Sequence, residues 1–244
     1  MSFNLPTETI ELPSKGLLYP EGHPLSNGTI EIKYMTAKEE DILTNQNYIQ
    51  NGTVIDKLLK SLIVTKFNYE ELLIGDKNAI MIASRILGYG AEYKFTYNGK
   101  EEVADLSKID NKPFDESLIT KGINEFSFKL PSSDNDITFK FLTHGDESKI
   151  NQELEGLKKL GKEGSPELTT RLKYVVTSIN GDRTTKLIRE FIDEAFLARD
   201  ARAFREYIGK VQPDVDLTFF PQSKSKSINL PIGISFFWPD VDLG

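Results

Sequence analysis

The side chains best suited to acid–base chemistry in this sequence are two histidines and a set of acids near predicted helix starts. His23 lies in a loop flanked by Gly and Pro, and His144 precedes the acidic segment "GDES" at 145–148. A serine hydrolase would need a nucleophile-elbow motif to accompany such a histidine, and neither segment carries one. We therefore expect a solvent-facing or helix-capping role for each histidine, and we expect that the protein is not an enzyme.

The acidic segment after His144 has a counterpart earlier in the chain. "KEED" at 38–41 follows Thr36 as "GDES" follows Thr143. Thr36 with Glu39, and Thr143 with Asp146, match the capping box, in which a hydroxyl and an acid satisfy the free N–H groups of a helix start. The pattern favours structural capping at both places, so we predict no catalytic, metal-binding or cofactor-binding residues.

Composition excludes several further classes of protein. The chain has 37 acidic and 30 basic residues, a net charge of −7 and no cysteine. An acidic protein is a poor phosphate-neutralising surface, so nucleic acid is not expected as the main partner. No basic leader with an apolar run and no long apolar stretch is present in the sequence, which predicts no membrane partner and a cytoplasmic site of synthesis and use.

The capping pattern belongs to a longer internal repeat. "TIEIKYMTAKEEDIL" at 29–43 aligns with "DITFKFLTHGDESKI" at 136–150 at a shift of 107 residues, and "IELPS" at 10–14 matches "FKLPS" at 128–132. "DKNAIMIASRI" from Asp76 aligns with "DARAFREYIGK" from Asp200 at a shift of 124. At that same shift "YKFTY" is expected to match "LTFFP" in a closing hairpin.

The repeat predicts an α+β fold with an internal duplication. Each half is expected to contain a short strand pair, a helical bundle segment and an aromatic β-hairpin. We predict a first repeat unit with an N-terminal arm at 1–106, a linker at 107–122, and a second repeat unit with an aromatic C-terminal tail at 123–244.

Helical spacing of apolar residues predicts the core faces. A helix in the second unit is expected to include Leu172, Val175, Val176 and Ile179. Arg85 lies within a predicted helix and is expected on the surface or in an ion pair between helices.

The two ends of the chain carry the candidate protein-interaction residues. The tail "FFWPDVDLG" includes Phe236, Phe237, Trp238 and Pro239, and aromatic side chains of that size bury about 150–250 Å² each. The tail is expected either to fold back on its own core or to dock on another subunit. The arm "KGLLYPEGHPLSNG", with Leu17, Leu18 and Tyr19, is either a long hairpin loop or a partner-binding arm.

Several segments, in order, resemble one known family. "LPSKGLLYP", "HPLSNGTIEIKYMTAKEEDILTN", "GDKNAIMIASRILGYGAEY", "TTRLKYVVTSINGDR" and "LPIGISFFWPD" resemble the baseplate protein family of T-even-type contractile-tailed bacteriophages. The strand followed by "MTAKEED" is also similar to phage tail assembly chaperones. The resemblance covers nearly the whole chain.

The resemblance implies a non-enzymatic structural component of the tail baseplate, in the central hub region. The implied partners are other tail and baseplate proteins, and an assembly chaperone for the hub or the tape-measure protein is the alternative. The implied locations are the host cytoplasm during assembly and the baseplate of the virion tail. Members with paired cysteines near the aromatic hairpins suggest a metal knuckle, but here "YNGKEE" and "PQSKSK" stand at those places. A duplicated chain is also compatible with symmetric assembly in a ring.

Overall fold

A computed structural model describes residues 5–160, 166–221 and 226–237 and has the mixed α+β architecture that the sequence predicts. The first unit contains β1 (Thr7–Glu11), β2 (Thr29–Lys33), α1 (Ala37–Leu43), α2 (Gln46–Gln50), α3 (Val54–Leu62), α4 (Ile74–Tyr89), β3 (Glu92–Tyr97) and β4 (Lys100–Asp105). The second unit contains β5 (Phe126–Lys129), β6 (Asp136–Phe139), α5 (His144–Lys159), α6 (Glu167–Val175), β7 (Val176–Ile179), α7 (Thr185–Glu194), α8 (Ala198–Val211), β8 (Thr218–Phe219) and β9 (Ile228–Asn229). Short 3₁₀ helices span Tyr69–Glu71, Leu106–Lys108, Glu116–Leu118 and Ile234–Phe237.

The two units share the order of their main elements, and their first strands pair in matching register. They differ before the long helix, where the second unit has α7 and the first has only the 3₁₀ turn Tyr69–Glu71. β1 and β2 form an antiparallel pair that sets Ile10 opposite Ile30. β5 and β6 form the corresponding pair and set Phe128 opposite Ile137, the residues that the sequence alignment places in register with them. The duplication is therefore visible in backbone pairing as well as in the order of elements.

A third strand joins the small sheet of the second unit, and here one sequence prediction is wrong. The expected helix through Ile179 ends at Val175, and β7 continues from it as a strand paired with β6. In the first unit α3 likewise ends at Leu62, and Ile63 forms a single bridge to Ile32. The β-branched residues of β7 gain a sheet partner at this point, and that tertiary pairing outweighs the helical spacing.

Both capping boxes are present at the starts of α1 and α5. The backbone N–H and hydroxyl of Thr36 donate to Glu39 Oε2 at 3.0 and 2.6 Å, and Lys33 Nζ donates to Glu39 Oε1 at 2.8 Å. Burial works to raise the pKa of Glu39, but the hydrogen bonds from Lys33, Thr36 and Ser61 outweigh it and lower that pKa to about 2. In the second unit Lys140 makes the same ion pair with Asp146 at 2.7 Å.

In each unit the third residue of the long helix is a buried aspartate, which accepts hydrogen bonds from the turn that follows the first strand. Asp76 in α4 accepts hydrogen bonds from the backbone N–H and hydroxyl of Ser14 at 2.9 and 2.7 Å. Asp200 in α8 accepts from the backbone N–H groups of Ser132 and Ser133 at 2.7 and 3.0 Å. Both carboxylates are inaccessible to solvent, at 1% and 0% exposure.

The two aspartates differ in protonation tendency, because burial outweighs the hydrogen bonds at Asp76 but not at Asp200. Burial raises the pKa of Asp76, against the hydrogen bonds from Ser14 and Tyr19. Burial also works to raise the pKa of Asp200, but the hydrogen bonds from Ser132 and Ser133 outweigh it and the pKa is lowered. Asp200 is therefore held as a carboxylate more firmly than Asp76.

Arg85 is a core residue, so of its two expected positions, on the surface or in an ion pair between helices, the surface position is wrong. Its side chain is 1% exposed, and its guanidinium donates to the carbonyl oxygens of Gly90, Glu92 and Phe236 at 2.8, 3.1 and 3.0 Å. These carbonyls belong to the end of α4, the start of β3 and the C-terminal segment. The planar fork of donors suits this task, because it can hold three chain segments at once.

The aromatic hairpins close each unit and join the two units in one hydrophobic core. Tyr93 contacts Phe236, and Phe95 contacts Phe219 across the units with ring centroids 5.3 Å apart. The expected match of the hairpins at a shift of 124 holds for Leu106 and Leu230 but not for the preceding strands. The Leu106 N–H donates to the carbonyl of Ala91, whereas the Leu230 N–H donates to the carbonyl of Leu217. A shift of 124 from Ala91 leads to residue 215, so the first hairpin strand of the second unit is displaced by two residues from the expected alignment. A displacement of two residues leaves the same side chains on the same face of the strand.

The donors of the two buried aspartates predict unequal effects of neutral replacement. In Asp200→Asn the N–H₂ group of the amide must face one of the two backbone N–H donors, and a backbone N–H cannot act as an acceptor. One donor is therefore left without a partner, and we expect a loss of about 1–3 kcal/mol in the free energy of unfolding. Asp76→Asn should cost less, because two of its three donors are hydroxyls that can rotate. Urea unfolding of both variants measures the difference, and an equal or larger cost for Asp76→Asn would contradict this account.

The position of Phe236 predicts that removing its ring lowers the stability of the fold substantially. Phe236 is 0% exposed, so Phe236→Ala should lower the free energy of unfolding by about 3–5 kcal/mol. The control is Phe220→Ala, whose ring is 69% exposed and whose loss should be within about 0.5 kcal/mol. Equal denaturant midpoints for the two variants would show that the segment does not belong to the core.

Candidate functional site

A groove of about 950 Å³ lies between the two units. Its walls come from the N-terminal arm, the 3₁₀ helix before α4, the linker and the first turns of α5. The lining residues are Leu18, Tyr19, Pro20, His23, Glu70, Glu71, Leu73, Gly122, Asn124, Thr143, Gly145, Asp146, Ser148, Lys149 and Gln152. We call this feature the inter-unit groove.

The N-terminal arm folds into a tight loop before it reaches the groove. Leu12 and Gly28 are joined by a backbone hydrogen bond of 2.8 Å, which closes the base of the loop. Gly16 has a φ of +74°, and a Cβ atom there would lie 2.6 Å from the carbonyl oxygens of Leu25 and Ser26. Only glycine fits this position, so the "LPSKG" segment determines the path of the arm.

Tyr19 fixes the arm to the start of α4. Its hydroxyl donates to Asp76 Oδ2 at 2.8 Å and accepts from the backbone N–H of Leu73 at 3.1 Å. Burial raises the pKa of Tyr19, which keeps this hydroxyl protonated and able to donate. The buried aspartate of the first unit therefore also positions one wall of the groove.

The floor of the groove is the direct junction between the units. Ile74 N–H donates to the carbonyl of Leu142 at 3.1 Å, and His144 N–H donates to the carbonyl of Leu72 at 2.8 Å. Gly145 lies against Glu70, and a Cβ atom there would come within 3.0 Å of the Glu70 carbonyl oxygen. Glycine at the second position of α5 accommodates this close approach without any shift of Glu70.

His144 is the first residue of α5 and is buried in this junction, so of the two roles expected for it, solvent-facing or helix-capping, the solvent-facing role is wrong. Its ring is in edge contact with Tyr69, and its Nδ1 lies 3.6 Å from Asp56 and 3.4 Å from Lys77. Lys77 and Asp56 form an ion pair of 2.6 Å beside it. Burial lowers the pKa of His144, and the nearby Lys77 and Lys60 act in the same direction, against Asp56 and Glu70.

His23 lies on the opposite wall and has a defined tautomer. Its Nδ1 accepts from the backbone N–H of Leu25 at 3.1 Å, so the proton is on Nε2, which faces Glu71 at 3.0 Å. The ring stacks on Tyr19 with centroids 4.8 Å apart. These contacts order the rim of the groove through hydrogen bonding and ring packing.

The groove brings together only part of the predicted interaction set. Leu18 and Tyr19 are buried and line it, and Leu17 is half-buried and accepts a hydrogen bond from Gly122 at 2.7 Å. Phe236 and Phe237 are 0% exposed near the C-terminal end of α4. For these two residues the tail therefore folds back on the core of its own chain and does not dock on another subunit. Trp238 and Pro239 lie outside the described residues.

The capping residues divide between two places. Thr143 and Asp146 line the groove, whereas Thr36 and Glu39 cap α1 at the corresponding end of the first unit. Sequence analysis missed Glu70, Glu71 and Lys149, because the residues lie on separate elements that only the junction brings together. The alignment of Asp76 with Asp200 was the sequence signal that could have indicated the buried aspartate of each unit.

Comparison with known proteins gives no significant match. Neither protein-family models, nor curated proteins, nor solved structures match this chain. Within the described residues no group of three or more His, Asp or Glu side chains is arranged to hold a metal ion. Among the helices of those residues, none combines the length and apolarity needed to span a bilayer.

The environment of His144 predicts that the junction weakens in acid. The folded-state pKa is below the unfolded value of 6.5, so between these two values the unfolded chain binds the additional proton. Stability should therefore be unaffected by this group above that range and should fall as the pH drops below about 6.5. Urea unfolding at a series of pH values, compared with His144→Gln, isolates the contribution. A pH dependence that is identical in the two proteins would contradict this account.

Proposed function

We propose that this protein is a non-enzymatic structural component of a phage tail baseplate, in the central hub region, and that it binds neighbouring tail proteins through the inter-unit groove. The observation that carries the proposal is the position of the "LPSKGLLYP" segment. This segment bears part of the family resemblance, and it forms a wall of the groove while Ser14 and Tyr19 attach it to buried Asp76. A rigid arm held at a groove is suited to protein binding.

The chemistry of the groove supports a peptide or protein ligand. Leu18, Tyr19 and Leu73 contribute apolar surface, and Glu70 and Glu71 are about half exposed on one wall. Lys149 is exposed on the facing helix. Apolar surface bordered by opposite charges is the usual anatomy of a protein-binding site.

The alternative proposal is a transient assembly chaperone for the baseplate hub or the tape-measure protein. Both proposals place the protein in the host cytoplasm during assembly, and the structural proposal also places it in the virion tail. Mass spectrometry of purified virions, with copy counting, separates them. A fixed small number of copies supports the structural role, whereas absence from virions together with recovery of a tail protein in pulldowns from infected cells supports the chaperone.

Charge reversal on the groove wall tests the binding site itself. Lys149→Glu should weaken capture of tail proteins by roughly tenfold, the effect of about 1.4 kcal/mol. The matched control is Lys159→Glu, which reverses an exposed lysine at the far end of the same helix, α5. Pulldown from infected cells, with thermal unfolding of each variant to establish folding, gives the measurement. Equal capture by the two variants would exclude the Lys149 wall as a contact surface.

A further inference from the structure

The junction between the two units joins unlike surfaces. One surface is the start of α4 with the preceding turn, formed by Glu70, Leu72 and Leu73, and we call it the α4-start face. The other is the start of α5, formed by Leu142, Thr143, His144 and Gly145, and we call it the α5-start face. Leu73 and Thr143 form the β-bridge between them. In a head-to-tail contact, each repeated unit contributes only one of its two faces. The other face of each unit is left uncovered by this junction.

Because the units are repeats, each face has a second copy on the outside of the molecule. The copy of the α4-start face is Glu194, Phe196 and Leu197, which we call the α8-start face. The backbone φ and ψ are −63° and 143° at Leu73 and −62° and 142° at Leu197, so the chain enters the long helix in the same conformation in both units. The copy of the α5-start face is Met35, Thr36, Ala37 and Lys38, the α1-start face, and it carries the same capping box.

Exposure distinguishes the inner faces from the outer ones. Leu73 is 6% exposed in the junction, whereas Leu197 at the matching position is 48% exposed. His144 is 7% exposed, whereas Ala37 at its matching position is exposed. The outer faces thus present to solvent the apolar positions that the inner junction covers.

The outer faces also carry complementary charges at the point of closest approach. In the inner junction a Cβ atom built on Gly145 would lie 3.3 Å from Glu70 Oε2. The residues at the matching outer positions are Lys38 and Glu194. A Cβ atom at this position would also lie 3.0 Å from the backbone carbonyl oxygen, so the contact between molecules needs a shift of a few tenths of an ångström from the inner geometry. With that shift, the lysine side chain begins beside a carboxylate, where it can form an ion pair.

We propose that a second copy of this chain docks on these faces, with the α8-start face of one molecule against the α1-start face of the next. The contact repeats the inner junction, with Leu197 facing Thr36 and Lys38 paired with Glu194. Such an interface is heterologous, so it produces a ring if the rotation closes and a filament if it does not. The inference does not depend on the proposed baseplate function.

Charge exchange provides the first test. The wild-type protein should show concentration-dependent association in sedimentation velocity from low to high micromolar concentration. Lys38→Glu and Glu194→Lys should each weaken it by roughly tenfold, and the double variant K38E/E194K should restore it, as expected for a direct ion pair. The control Lys100→Glu, at the exposed first position of β4, should associate as the wild type does.

Disulfide trapping provides the second test, because the natural chain has no cysteine. Thr36→Cys and Leu197→Cys are made in separate proteins and mixed under mild oxidation. The bridged pair Leu73 and Thr143 has the close approach that a disulfide needs, so the mixture should form a mixed dimer in excess over the dimers that each protein forms alone. A strictly monomeric wild type, a double charge variant that fails to regain association, or no excess mixed dimer would each overturn the proposal.

Discussion

The fold of each unit depends on one buried carboxylate. The first strand of each unit is followed by a Leu-Pro-Ser segment that leaves the sheet. The backbone N–H of its serine donates to the aspartate at the third position of the long helix. An amide left without a partner in this buried position would cost about 1–3 kcal/mol. The aspartate therefore determines where α4 or α8 lies relative to the strands, and the packing of the closing hairpin follows from that helix.

Duplication preserved this contact while the surroundings of the two copies diverged. In the first unit the N-terminal arm adds Tyr19 to the network, and one hydroxyl then serves the aspartate and the backbone of Leu73 together. In the second unit the corresponding connection is short, and two backbone N–H groups take that place. The same anchor consequently supports the long N-terminal arm in one unit and a short turn in the other.

Local sequence signals predicted much of the fold because the strands, caps and hairpin turn are specified by neighbouring residues. The capping boxes at Thr36 and Thr143 and the turn at Asn98 and Gly99, which have φ of +49° and +74°, depend on short-range chemistry. The strand β7 could not be predicted this way, since its identity depends on pairing with β6, about 40 residues away in the chain. The burial of Arg85 was unpredictable for the same reason, because its acceptors include the carbonyl of Phe236.

The inter-unit groove illustrates a more general limit, since it exists only where repeated surfaces meet. Thr36 and Thr143 have nearly the same local sequence and structure, yet only Thr143 lines the groove. Gly145, two residues after Thr143, lies against Glu70 inside the chain, whereas Lys38 at the matching position after Thr36 is exposed. The chain therefore covers one copy of this surface itself, while the other copy presents a charged side chain to solvent.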